Sequence, residues 1–145
     1  MNGLKALSPD TDRVVIHDGV RPLLTRSLLD RLLTASAEHD AVVPAVRIVD
    51  TIKRMEGSSI AETVDRSGLW TVQTPQVFSL GLIIQAHEKA WKDGFTGTDD
   101  CELVERLPAT TFMIQGERTN IKITTREDLV MAESLLGSLQ LGVGD

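Results

Sequence analysis

Four short stretches bring together residue types that can do chemistry. His17-Asp18-Gly19-Val20-Arg21-Pro22 follows the β-branched run Val14-Val15-Ile16. An Asp there can hold a divalent cation or a sugar hydroxyl, and an Arg can fork onto a phosphate. The same residues also make a plain turn with a surface Asp–Arg pair worth little. Thr63-Val64-Asp65-Arg66 leads to Leu69-Trp70-Thr71-Val72-Gln73-Thr74-Pro75-Gln76, whose Gln-Thr-Pro-Gln is dense in hydrogen-bonding groups and stiffened by Pro. It could cradle a polar ligand, or simply cap the next helix. In Thr96-Gly97-Thr98-Asp99-Asp100 two acids stand at a predicted helix mouth. They repel a bare anion but suit sugar hydroxyls or a cation-bound ligand, and they also stabilise their own helix. In Asn120-Ile121-Lys122-Ile123-Thr124-Thr125, Lys122 alternates with two Ile and so points away from an apolar surface, toward a phosphate or toward water.

Other chemistries lack their residues. His87-Glu88 is not the H-E-x-x-H zinc motif, because position 91 is Trp. His17, His39 and His87 have no metal-ligand spacing. Cys101 has no evident base beside it and reads as a packing residue. No G-x-S-x-G, P-loop or G-x-G-x-x-G occurs.

The elements that must position these residues read as α/β. The run 14–16 looks like a buried parallel strand ending at its functional edge. Helical spacing of Leu28, Leu29, Leu32, Leu33 and Ala35 predicts a helix over 25–39, capped by Thr25 or Ser27. A second strand is expected at 41–46, with Pro44 arguing for an edge or a strand end. Two extended arms around Glu56-Gly57-Ser58-Ser59 predict a projecting hairpin at about 48–69. An isolated hairpin is marginal in water, so it needs something to lie against. Helices are expected at 79–93, stopped by Gly94, at 98–107, capped by Thr98, and at 126–136, with Thr125 and Asp128 as a capping box. Strands are expected at 112–114 and 121–124, and fraying at 137–145.

Length and composition fit one domain. The 145 residues are 41% hydrophobic, enough for a core, which must be aliphatic since Phe78, Phe95, Phe112, Trp70 and Trp91 are the only aromatics. A formal charge of −6 without a basic stripe argues against nucleic acid or an anionic membrane. No run approaches the ~20 apolar residues of a membrane span. One cysteine forms no internal disulfide, which suits a reducing cytoplasm.

Taken in order, HDGVRP (17–22), VDTIK (49–53), TVDRSGLWTVQTPQVF (63–78), GTDD (97–100) and NIKITTREDL (120–129) resemble the methylerythritol phosphate cytidylyltransferases of the non-mevalonate isoprenoid pathway. The likeness runs from about 14 to 136, as one partial domain with its hairpin arm. Ribitol phosphate cytidylyltransferases share HD-x-x-RP, QTPQ and NIK-TT, whereas TVDRSGLW favours the methylerythritol enzymes. The resemblance implies a nucleotide-diphospho-sugar-transferase-like fold and transfer of CMP from CTP to the sugar phosphate, with Mg²⁺ and release of pyrophosphate. It implies that Asp18, with Gly19 beside it, meets the metal-bound nucleotide or the substrate, and that Arg21 positions the substrate. Thr51 and Arg66 would reach from the hairpin across a homodimer. Thr74, Thr98 and Lys122 would complete the sugar-phosphate pocket. Nothing in 1–13 resembles the Gly-rich, Arg- and Lys-bearing loop with which the family grips the triphosphate. The chain is therefore expected to hold the acceptor side and to turn over weakly or not at all unaided, or to serve as a dimerisation and binding module.

Overall fold

Side chains alternate between the two faces of a strand, so a strand covered on both faces is apolar throughout. The structure, a computed structural model, describes residues 2–8 and 10–140. Its elements are α1 (Asn2–Lys5), β1 (Arg13–Ile16), α2 (Arg26–Ser36), β2 (Ala41–Arg47), β3 (Ile52–Glu56), β4 (Ser59–Val64), β5 (Trp70–Val72), β6 (Gln76–Ser79), α3 (Leu80–Lys92), α4 (Asp100–Val104), β7 (Phe112–Gln115) and α5 (Arg126–Gln140). The doubly covered strand is β2, whose first five residues are all buried.

Around β2 forms a five-stranded mixed sheet. β6 lies antiparallel between β1 and β2, and β7 runs parallel to β2 on its other side. Ala41 pairs with Phe78 on one face, where Ile83, Ala86 and Ala90 of α3 and Leu103 and Val104 of α4 close over them. Val42 pairs with Val77 on the opposite face, where Leu28 and Leu32 of α2 complete a second cluster. The result is the expected α/β fold in three layers, helix–sheet–helix.

Two strand expectations need correction. β1 pairs antiparallel with β6, not in a parallel pair, and Val15 is exposed. Pro44 sits mid-strand in the central strand. It is tolerated because β6 pairs with Ala41 and Val42 while β5 takes over at Ala45, so position 44 faces the break between them. The Pro44 carbonyl there accepts from the Gln73 N–H at 2.8 Å. β5 and β6 lie on either side of Gln73-Thr74-Pro75, where no strand was expected from the sequence.

The helix ends follow capping chemistry. Thr25 caps α2 through its hydroxyl, which accepts from Leu28 N–H at 3.0 Å. Gly94, at φ 64°, ends α3 with Phe95 N–H bonded to the Ala90 carbonyl at 2.8 Å, a Schellman closure. α4 is shorter than expected and is capped by Asp99, not Thr98: Asp99 Oδ1 accepts from Glu102 N–H at 2.8 Å. Residues 121–124 form no strand; Ile123 N–H makes a single tie to the Val20 carbonyl at 2.8 Å instead of a ladder. α5 runs through Gln140, past the expected end at 136, while 141–145 lie outside the described residues.

β3 and β4 form their own two-stranded sheet around Gly57 (φ 59°). The hairpin stays apart from the main sheet, and its Val49, Met55 and Ile60 are exposed.

Candidate functional site

β1, β2 and β7 all end at the same edge of the sheet, and β6 begins there, because Ile16 pairs with Gln76 and Ala45 with Gln115. Ligands of open α/β sheets collect beyond such carboxyl ends. A cleft of about 630 Å³ lies at this edge, lined among others by Asp18, Arg21, Thr74, Thr98, Asp99 and Lys122. Five of the residues singled out by sequence thus meet in one cavity. Gly19 is near it without lining it, and a Cβ there would meet nothing within 4 Å.

Charge is concentrated at Asp18. Its Oδ2 lies 3.0 Å from Lys122 Nζ and 3.7 Å from Arg21 Nε. Arg21 is only 9% exposed, and Nη1 donates to the Asn120 carbonyl at 2.7 Å. Its buried Nε has no hydrogen-bond partner. Burial lowers the Arg21 pKa from its ordinary value, and the Asp18 charge opposes that shift. A mostly buried guanidinium that lines a cleft is suited to an anionic oxygen.

Sequence reasoning did not single out the polar residues that hold this arrangement. Asn120 is fully buried and donates from Nδ2 to the Thr74 carbonyl at 2.9 Å. Gln73 grips the segment after β7 at both ends of its amide: Nε2 donates to the Glu117 carbonyl at 2.8 Å, and Oε1 accepts from Glu117 N–H at 3.2 Å. Glu117 in turn binds Thr25 and Arg31 of the α2 end, at 2.8 and 2.9 Å. Gln76, also buried, donates to Asp99 Oδ2 at 2.8 Å. The stretches 17–22, 73–76, 98–100 and 116–122 are therefore cross-tied by side chains. The only available signal was that Gln73, Gln76 and Asn120 lie inside the motifs themselves.

His17 belongs to the same web. Its Nδ1 is 3.0 Å from Thr74 Oγ1 and its Nε2 is 2.9 Å from the Arg21 carbonyl oxygen. Thr74 Oγ1 also accepts from Asp18 N–H at 2.9 Å. Thr98 is committed differently: its N–H and hydroxyl both donate to Glu102 Oε2, at 2.6 and 3.0 Å, which lowers the Glu102 pKa.

Thr51 and Arg66 do not line the cleft. They flank the exposed hairpin, where Arg66 Nη1 donates to the Val49 carbonyl. Among the described residues, no group of three or more His, Cys, Asp or Glu could hold a metal ion, and no helix is long and apolar enough to cross a membrane.

Comparison with known proteins gives a consistent result. A family model described as 2-C-methyl-D-erythritol 4-phosphate cytidylyltransferase matches residues 1–138. Proteins of that name from Geobacillus thermodenitrificans and Halalkalibacterium halodurans are 50% and 49% identical over 137 and 134 residues. The matches cover 94% and 92% of this chain, and 60% and 58% of theirs. The chain thus spans about three fifths of the length of these relatives. The crystal structure of the Thermus thermophilus protein of that name superposes with a TM-score of 0.87 at 37% identity, covering 93% of this chain and 66% of its own. The 4-diphosphocytidyl-2C-methyl-D-erythritolsynthase from Anaerococcus prevotii superposes at 0.84 and 36% identity, covering 94% of this chain and 61% of its own.

Proposed function

The chain belongs to the 2-C-methyl-D-erythritol 4-phosphate cytidylyltransferase family, and from that premise we propose that its cleft binds the sugar phosphate that accepts CMP. The observation that carries this reading is the Asp18–Arg21–Lys122 group at the cleft, in which the Asp18 carboxylate lies against two cations. Two cations draw in a phosphate, and one carboxylate orients hydroxyls.

In the proposed reaction a phosphate oxygen of methylerythritol phosphate attacks the α-phosphorus of CTP. A new P–O bond forms, the bond to the β-phosphate bridge breaks, and pyrophosphate leaves with its electron pair. Such a displacement depends on positioning and charge neutralisation. Arg21 and Lys122 would fix the attacking phosphate, with Asp18 and Thr98 on its hydroxyls. Magnesium would neutralise the triphosphate charge when bound. The described residues make no cage for it, but an ion held mainly by phosphates needs only one or two carboxylates. Of the carboxylates that line the cleft, the family motif points to Asp18, with Gly19 beside it.

Thr51 and Arg66 would reach the cleft of a second subunit, the hairpin acting as the arm of a homodimer. The hairpin's separate sheet and exposed apolar residues support that reading. The single buried cysteine agrees with a cytoplasmic setting.

Titration calorimetry with methylerythritol phosphate tests the assignment. Saturable binding is expected, weakened at least tenfold by Lys122→Ala. Ribitol 5-phosphate should bind more weakly than methylerythritol phosphate. No saturable binding would leave a dimerisation or binding module that keeps the fold alone, and a preference for ribitol phosphate would reassign the acceptor.

A further inference from the structure

The bonds around Thr74 fix where each proton lies. A carbonyl oxygen only accepts, so the 2.9 Å contact to the Arg21 carbonyl requires a proton on His17 Nε2. In the neutral imidazole the other nitrogen, Nδ1, is then a bare acceptor. Its 3.0 Å contact must be filled by the Thr74 hydroxyl proton. One lone pair of Thr74 Oγ1 is already taken by Asp18 N–H at 2.9 Å. What Thr74 has left for the cleft it lines is a single lone pair.

We propose that His17 is a specificity-determining positioning residue, which turns the Thr74 hydroxyl into an acceptor-only group selecting a hydroxyl of the bound polyol phosphate. A phosphate or carboxylate oxygen has no proton to give and is rejected at that point, while a sugar hydroxyl is accepted. Phosphate is left to Arg21 and Lys122. An ordinary threonine beside a cleft would offer a donor as readily as an acceptor. Here the donor is spent on the ring, and a protein that left the ring out would lose the distinction. The inference rests on the reading that the cleft holds a polyol phosphate, but its proton assignment does not.

Two measurements separate the two claims. The first is nitrogen-15 NMR of the histidine ring in the wild-type chain at about pH 8, above the ordinary imidazole range. His17 is expected to show a protonated Nε2 and an unprotonated Nδ1. The reverse tautomer overturns the inference, whether or not any sugar phosphate binds. The second is calorimetry on His17→Asn and His17→Gln, with methylerythritol phosphate and with butyl phosphate, which carries no free hydroxyl. Asn places a carbonyl near the Nδ1 position and should bind the sugar phosphate within about threefold of wild type. Gln reaches toward the Arg21 carbonyl and leaves the Thr74 proton free, so a loss of about tenfold is expected, with butyl phosphate unchanged. Equal losses for both ligands, or no loss in His17→Gln, overturn the inference. If the wild-type chain binds no sugar phosphate, the functional assignment fails and the NMR result alone decides the role of His17.

Discussion

At the N-terminus of α5 the Asp128 carboxylate accepts from the Thr124 N–H and hydroxyl and from Thr125 N–H, at 2.8–2.9 Å. These bonds, the Thr124 N–H foremost, lower its pKa from 3.8 to about 2. A carboxylate depressed in the folded state contributes stability that is present above its unfolded value and lost as pH falls through the folded one. Melting of the wild-type chain should therefore soften between about pH 4 and 2, and Asp128→Asn should flatten that part of the profile. An unchanged acid limb in the variant would remove the cap from the account. Cys101 shows the opposite shift: burial above all raises its thiol to about 12, against the Thr111 hydrogen bond. The thiol is neutral at ordinary pH and nearly inaccessible, although it borders the cleft. Alkylation should follow denaturant-induced unfolding, and prompt labelling in buffer would contradict this.

Elements come together here through backbone approach as much as through side chains. Gly116 follows β7 and donates its N–H to the Ala45 carbonyl at 2.8 Å. A Cβ at that position would lie 2.4 Å from Gln73 Oε1 and 3.2 Å from the Ala45 backbone. Gly116→Ala must displace the very amide that ties 116–120 to the strand break. Chemical denaturation is expected to show a loss of about 1–3 kcal/mol, together with weaker binding in the cleft. A variant as stable as wild type would mean that the tie is dispensable. The sequence displayed the helices well, since Thr25, Gly94 and Asp128 are local signals acting within a few residues. It hid β5 and β6, because strands of three and four residues on either side of Thr74-Pro75 leave no alternation to detect. It also misplaced Pro44, since a break between two partner strands is a property of the sheet and not of the proline.

For the whole molecule, the ordered motifs identified the family, and parts of them, though not Thr51 or Arg66, meet at one sheet edge. Asp18, Arg21, Thr74, Thr98 and Lys122, which share the cleft, were legible through the family resemblance of their motifs and not from polarity alone. Their support by Gln73, Asn120 and His17 was not, because it depends on contacts between residues up to 99 positions apart. The hairpin was legible in outline and remains the element least tied to the rest. If it is a dimer arm, replacing 52–64 by a short turn should leave the circular dichroism of the main sheet intact and yield a monomer in sedimentation. A wild-type chain that sediments as a monomer would remove the arm from the functional account.

The change of partner along β2 has a further consequence, for insertions and deletions. β6 serves Ala41 and Val42, β5 serves Ala45 to Arg47, and residues 73–75 fill the interval between them. The interval is fixed by β2, so this link has no slack, though it has a loop's conformation. Adding one residue to it would rotate Val77 and Phe78 onto each other's faces or drive β5 out of register. In a scan of single-residue insertions read by soluble yield, 73–75 should therefore be as intolerant as the strands, whereas the hairpin turn at Gly57 should accept them. Lineages that vary this site would then do so by exchanging residues and not by changing its length.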